Sequence, residues 1–291
     1  MRVGFVGAGR MGGPMVGRLV AAGHDVHALG RTAEKRRELE QLGARVVAEA
    51  ADVGAHADVV VLCVFTDEQV RRVCLDGGLL PAMPSGSTLV VHTTVSPNTI
   101  EAIAARADHV DVVDAAVSGG PHDIATGRLT LFVGGAEPAV DRVRPLLGCY
   151  GDPVLHVGPA GAGQKVKLVN NALFAAQIGL LAEAIRLGER LGVPESTLLS
   201  ALGHGSATSR VLDLVAAGGS VAEFIEVPAT SSARTWPWCA MSRRNWAATW
   251  ARWMTSSRRS TPRRWFEMPA FWSFRFVTKV LPLALQSGTP L

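Results

Sequence analysis

The chain has 291 residues, enough for two domains of ordinary size, and a hydrophobic content of 48% supports a substantial packed core. Its cysteines, Cys63, Cys74, Cys149 and Cys239, show no close ligand spacing, and nothing resembles a secretory leader, so a reducing, cytoplasmic setting is expected and a disulfide framework is not. The longest apolar run, Ala172 to Ala182, is interrupted by Gln177 and falls short of the roughly 18–20 residues that span a bilayer, which argues against a membrane partner.

The net charge of +4 conceals a split: residues 1–227 carry 19 Lys+Arg and 24 Asp+Glu, whereas residues 228–291 carry ten Lys+Arg, one acid (Glu267) and all seven tryptophans. A basic arm with stacking aromatics is one form a nucleic-acid contact takes.

In chain order, Arg2 to Gly7 is a short apolar run that meets a glycine cluster and then a helical pattern through Met15, Leu19 and Ala22. Val26–Leu29 and Val46–Val47 read as the second and third strands. Val59 to Val64 is continuously apolar, as expected of a strand buried on both faces of a parallel sheet, and Leu89–His92, Val110–Asp114 and Leu129–Gly134 continue the alternation. The class is α/β, doubly wound. Lys165 to Leu191 carries no proline and predicts one long helix, ended by Gly192-Val-Pro194 and followed by another from Glu195 to Leu202. The expected organisation is a sheet domain over 1–163, an all-α domain opened by that helix over 164–227, and an aberrant basic tail over 228–291.

Gly7-Ala8-Gly9-Arg10-Met11-Gly12 fits G-x-G-x-x-G where a strand gives way to a helix, the context of a Rossmann dinucleotide site. Gly7 would permit the tight turn, Gly9 the approach of backbone to pyrophosphate, and Gly12 close packing of helix on strand. The second strand ends in Gly30-Arg31-Thr32, with Lys35, Arg36 and Arg37 following, where an NAD site usually has an acid. A guanidinium and a hydroxyl suit a 2′-phosphate, so NADP is expected over NAD.

Asp114-Ala-Ala-Val-Ser-Gly-Gly120 with Gly127 to Gly135 resembles the substrate segment of the β-hydroxyacid dehydrogenases, a family that includes 3-hydroxyisobutyrate dehydrogenase and several semialdehyde reductases. Gly158-Pro-Ala-Gly161-Ala-Gly163-Gln-Lys-Val-Lys167-Leu-Val-Asn170-Asn171 resembles their catalytic segment, and Thr93-Thr94-Val-Ser-Pro97 resembles the loop beside the nicotinamide. With the N-terminal glycine motif, the resemblance spans residues 1 to about 225.

It implies an oxidoreductase acting on a small carboxylate substrate, with Lys167 as general acid/base and Asn171, four residues on, bonding both the lysine and the substrate. Ser118 and the amides around Gly119 and Gly120 would hold the substrate carboxylate. The cofactor would lie against residues 7–12, Arg31, Thr32, Val64 and Thr94. A homodimer or homotetramer is implied. Asn170-Asn171 stands where 6-phosphogluconate dehydrogenases have His-Asn, which disfavours that sugar phosphate, and the lysine itself disfavours an imine, because imine-reducing relatives lack it. After Gly120, Pro121-His122-Asp123-Ile124 replaces the usual small residues, and His122 and Asp123 either reach the carboxylate pocket or shape a turn. The alternative to an enzyme is a non-catalytic or crippled NADP-binding protein whose tail abolishes activity or contacts nucleic acid.

Where the resemblance calls for amphipathic helices and a Lys-Asp pair, the tail has Ala233-Arg-Thr-Trp-Pro-Trp-Cys-Ala-Met-Ser-Arg-Arg-Asn-Trp-Ala247, a poor helix and a poor core. Read from the third base of the Ala233 codon, the same DNA permits Lys-Asp-Val-Ala-Leu-Val-Arg-Asp-Val-Ala-Ala-Glu-Leu-Gly. Shifted codons ending in the TG of Trp236, Trp238, Cys239 and Trp246, or in the TC of Ser242, must be apolar, and they recur at helical spacing. The tail therefore reads as an out-of-frame segment.

Overall fold

The computed structural model describes residues 1–224. Residues 228–291, and the frame reading that concerns them, lie outside the described residues. The chain starts with β1 (Arg2–Val6), α1 (Gly12–Ala21), β2 (Asp25–Leu29), α2 (Ala33–Gln41) and β3 (Arg45–Val47). It continues through α3 (Ala50–Gly54), β4 (Val59–Leu62), α4 (Asp67–Arg71), α5 (Leu79–Ala82), β5 (Thr88–Val91) and α6 (Pro97–Ala104). Then come β6 (Asp111–Ser118), α7 (Pro121–Ala125), β7 (Leu129–Gly134), α8 (Glu137–Leu147) and β8 (Gly151–Gly158), and finally α9 (Ala162–Arg190), α10 (Glu195–Leu202) and α11 (Arg210–Gly218).

All eight strands form one sheet in the order β3-β2-β1-β4-β5-β6-β7-β8. Strands β1 to β6 run parallel, β7 runs antiparallel to β6, and β8 is parallel to β7. The reversal has a simple cause: residues 119–128 are too few for a parallel crossover, which takes a dozen residues or more. Strand β6 also runs on to Ser118, past the Asp114 expected from sequence, because β7 pairs with it residue by residue, ending with Ser118 opposite Thr130. The chain leaves β1 for β2 and β3 on one side and then crosses to β4 on the other. The resulting gap between the carboxyl ends of β1 and β4 is the place where open α/β sheets bind ligands.

Alternation along the buried strands builds two cores. Val59 and Val61 face a cluster with Phe5, Met15, Leu19, Val140 and Leu147 under α1 and α8, while Val60 and Leu62 face Val70, Leu79, Ile100 and Ile103 on the other side. His92 joins β5 to its neighbours from inside: it is buried, 2.6 Å from the Ala115 carbonyl through Nδ1 and 2.8 Å from the Tyr150 hydroxyl through Nε2. A carbonyl only accepts, so Nδ1 carries the proton and Nε2 accepts from tyrosine. Burial pushes this imidazole down to about 4, so it is neutral and structural.

Beyond the sheet, one stripe of α9 (Phe174, Ile178, Leu181, Ile185) packs with Leu199 of α10 and Val211, Leu212 and Val215 of α11. Val169, Leu173, Leu180, Leu187 and Leu191, on another stripe, are exposed. Taken as a helix and not as an unbroken apolar run, α9 has the length and composition to cross a membrane, with a mean hydropathy of 1.4 over its most apolar window. The stripe packed on α10 and α11 is nonetheless what the core helix of a helical layer presents.

Candidate active site

The glycines after β1 divide by the space around them. Gly7 has φ +100°, and a Cβ there would stand 2.3 Å from the Cys63 carbonyl oxygen at the end of β4. A Cβ on Gly12 would stand 2.3 Å from the Gly7 carbonyl oxygen and 2.8 Å from the Phe5 ring. Nothing lies within 4 Å of a Cβ on Gly9. Two glycines thus press the turn against β1 and β4, and the third leaves backbone open before the first amides of α1, whose first turn carries no acid. This cradle fits a dinucleotide pyrophosphate. Ala8 is buried, Met11 is partly buried against the core, and Arg10 is exposed at the rim.

At the end of β2, Gly30 has no room for a side chain, since a Cβ would lie 2.6 Å from Arg36 and 2.7 Å from Val46. Arg36 folds back, its Nε donating to the Gly30 carbonyl at 2.8 Å. Thr32 caps α2 by accepting from the Lys35 amide at 3.2 Å, which occupies its oxygen but leaves its proton to give. Lys35 is paired with Glu38. Arg31 is exposed and held in no ion pair among the described residues, so it is the cation of this cluster best placed to meet an anion. Glu34, in the first turn of α2, is a carboxylate that the sequence reading passed over.

Thr93 knits the ends of β4 and β5 together: its hydroxyl donates to the Val64 carbonyl and accepts from the Val64 amide, both at 3.0 Å. Thr94 is exposed in the loop that follows, next to this join. Val64 and Thr94 therefore flank the same crevice as Gly7.

Ser118 ends β6, and Gly119 follows with φ +131°. The Gly120 amide, expected to meet a substrate carboxylate, instead donates to Asp123 Oδ2 at 2.7 Å. Asp123 thus shapes the turn that starts α7. His122 is exposed on that helix. Ser118 remains the segment's side-chain donor for an anion.

The long helix opens three residues earlier than its sequence pattern suggested, because a buried acid receives its end. Asp114 of β6 is fully buried and accepts from the Gly161 amide at 2.6 Å and the Gln164 amide at 2.7 Å. Burial pushes its carboxyl up and these amides pull it back. Gly163 and Gly134 allow the approach: a Cβ on Gly163 would stand 2.3 Å from the Phe132 carbonyl oxygen, and one on Gly134 2.4 Å from Asp114. One turn further on, Lys167 is 9% exposed, and burial lowers its ammonium from 10.5 to about 8. Lys165, two residues away, is 60% exposed and sits 3.4 Å from Glu101. Of the two, Lys167 is the one enclosed by the protein, and its lowered ammonium is the kind of group that can give up a proton near neutrality. Asn171 is partly buried and accepts from the Asn170 side chain at 3.3 Å, not from Lys167.

Other reactive groups are quiet. Burial pushes the Cys63 and Cys74 thiols up to about 12, and no cluster of metal-ligating side chains occurs among the described residues. A cavity of about 290 Å³ lined by Arg2, Asp25, His27, Arg45 and His56 lies at the amino ends of β1 to β3, away from every motif above.

The sequence model described as the NAD binding domain of 6-phosphogluconate dehydrogenase matches residues 2–158, and the one described as NAD-binding of NADP-dependent 3-hydroxyisobutyrate dehydrogenase matches residues 161–218. The chain is 34% identical over 219 residues to 2-hydroxy-3-oxopropionate reductase of Escherichia coli, with 74% of each chain covered. It is 32% identical over 216 residues to 2-(hydroxymethyl)glutarate dehydrogenase of Eubacterium barkeri, covering 73% of this chain and 72% of that one. Among solved structures, Mycobacterium tuberculosis 3-hydroxyisobutyrate dehydrogenase with L-serine is similar at a TM-score of 0.70 and 32% identity, covering 74% of this chain and 75% of that one.

Proposed function

The chain belongs to the β-hydroxyacid dehydrogenase family and is an oxidoreductase that uses a nicotinamide cofactor, and on that premise we propose that it interconverts a small hydroxyacid and its semialdehyde or keto partner, with NADP as cofactor and Lys167 as general acid/base. The observation that carries the reading is Lys167 itself: a buried lysine with its pKa brought down to about 8, one turn into a helix that starts against the sheet's carboxyl edge. The nicotinamide supplies or accepts the hydride. Lys167 in its ammonium form protonates the oxygen of the carbonyl being reduced, and in its amine form takes the proton back from the alcohol. Ser118 binds the substrate carboxylate, and Asn171 orients the substrate beside Lys167.

The pyrophosphate rests on the backbone at Gly9, and Arg31 with the Thr32 hydroxyl meets the 2′-phosphate. A cofactor-binding protein without turnover, or one that contacts nucleic acid, is not favoured, since the relatives matched are named dehydrogenases and reductases. NADPH consumption with a panel of tartronate semialdehyde, succinic semialdehyde and glyoxylate tests the proposal. Turnover of at least one, lost in Lys167→Ala, supports it, and no turnover on the panel or on further small oxoacids refutes it.

A further inference from the structure

Gln164 is fully buried one turn before Lys167, and its side chain bonds to a distant loop. Nε2 donates to the Thr93 carbonyl at 3.0 Å, and Oε1 accepts from the Val95 amide at 2.9 Å. Those two residues flank Thr94. The backbone amide of Gln164 is held by Asp114, and Thr93 is held in turn by Val64, so one connected set of bonds runs from the β4–β5 crevice to the first turn of α9.

We propose that Gln164 is a positioning residue: its amide staples the loop proposed to lie beside the nicotinamide to the helix that carries Lys167, and so fixes the site of hydride exchange relative to the site of proton exchange. This rests on the function proposed above. A planar group with one donor and one acceptor is what a carbonyl and an amide two residues apart in the same loop require. An apolar side chain would fill the space and leave both buried backbone groups unpaired.

Gln164→Met keeps the volume and removes both bonds. In Gln164→Glu, burial keeps the carboxyl protonated at pH 6, so that its O–H can donate to Thr93 and its C=O can accept from Val95. In the full-length chain, the Met variant is expected to lose about tenfold in kcat (about 1.4 kcal/mol), with a smaller rise in the NADPH dissociation constant. Exchange of the Val95 amide should quicken about tenfold by the same conversion. The Glu variant at pH 6 should keep most of the wild-type kcat. The staple is refuted if the Met variant keeps its kcat, if the Met and Glu variants are equally impaired at pH 6, or if Val95 exchange is unchanged. Absence of wild-type turnover would instead refute the function, and Val95 exchange would still test the staple.

Discussion

Replacing Lys167 with methionine should make the protein more stable while removing its activity. The lysine is 9% exposed, and burial alone lowers its pKa from 10.5 to about 8. The unfolded chain therefore binds the proton more tightly than the folded one. Below about pH 8 the native state carries the full penalty of the buried ammonium, on the order of 3 kcal/mol for a shift of this size. Between pH 8 and 10.5 the folded lysine is neutral while the unfolded one still holds its proton, which folding must release, so the penalty fades as pH rises and is gone above the unfolded value. Methionine matches the stem and carries no charge. Urea unfolding of both proteins at pH 7 should therefore favour Lys167→Met by about 2–3 kcal/mol, with the gap closing near pH 10. A variant that is no more stable than wild type at pH 7, or a gap that does not depend on pH, would mean that Lys167 is not desolvated and would remove the physical basis for its role.

Oxidation of the hydroxyacid needs the neutral amine and should rise with pH through about 8, whereas reduction needs the ammonium and should fall there; initial rates in both directions from pH 6 to 10 check this, and flat profiles would contradict it. Arg31→Ala should weaken NADP by about tenfold or more and leave NAD nearly unchanged, as calorimetry with both cofactors would show; an unchanged ratio would return the preference to another residue. Gly9→Ala has room and should fold normally with weakened cofactor binding. Gly12→Ala places its methyl 2.3 Å from the Gly7 carbonyl oxygen and should destabilise the fold; the cost is about 1–3 kcal/mol by denaturant titration, and the reverse ranking would misplace the cradle.

Much of this was legible because the signals are local. The glycine turn, the apolar run from Val59 and the long helix each announce themselves in a few residues, and Lys167 stood out within its motif. What was not legible depends on partners far along the chain. The reversal of β7 follows from the length of the loop before it and not from its own residues. Strand β8 was missed because Pro153 and His156 interrupt its apolar alternation, which an edge strand with a register shift tolerates. Helix α11 was missed although Ser209 before Val211, Leu212 and Val215 is a cap followed by helical spacing. Gln164 gave no sequence signal at all, since both its side-chain partners lie about 70 residues upstream. An acid inside the apolar run of β6 was visible, and Asp114 could have been marked as a buried receiver of backbone amides.

The central claim, that a buried lysine on α9 exchanges the proton in a nicotinamide-dependent oxidoreduction, is tested most directly by single-turnover NADPH oxidation with tartronate or succinic semialdehyde, comparing wild type with Lys167→Ala at equal cofactor occupancy. The account predicts that the variant binds NADPH normally and loses about 10²–10⁴ in the chemical step. A variant that turns over at the wild-type rate would contradict it.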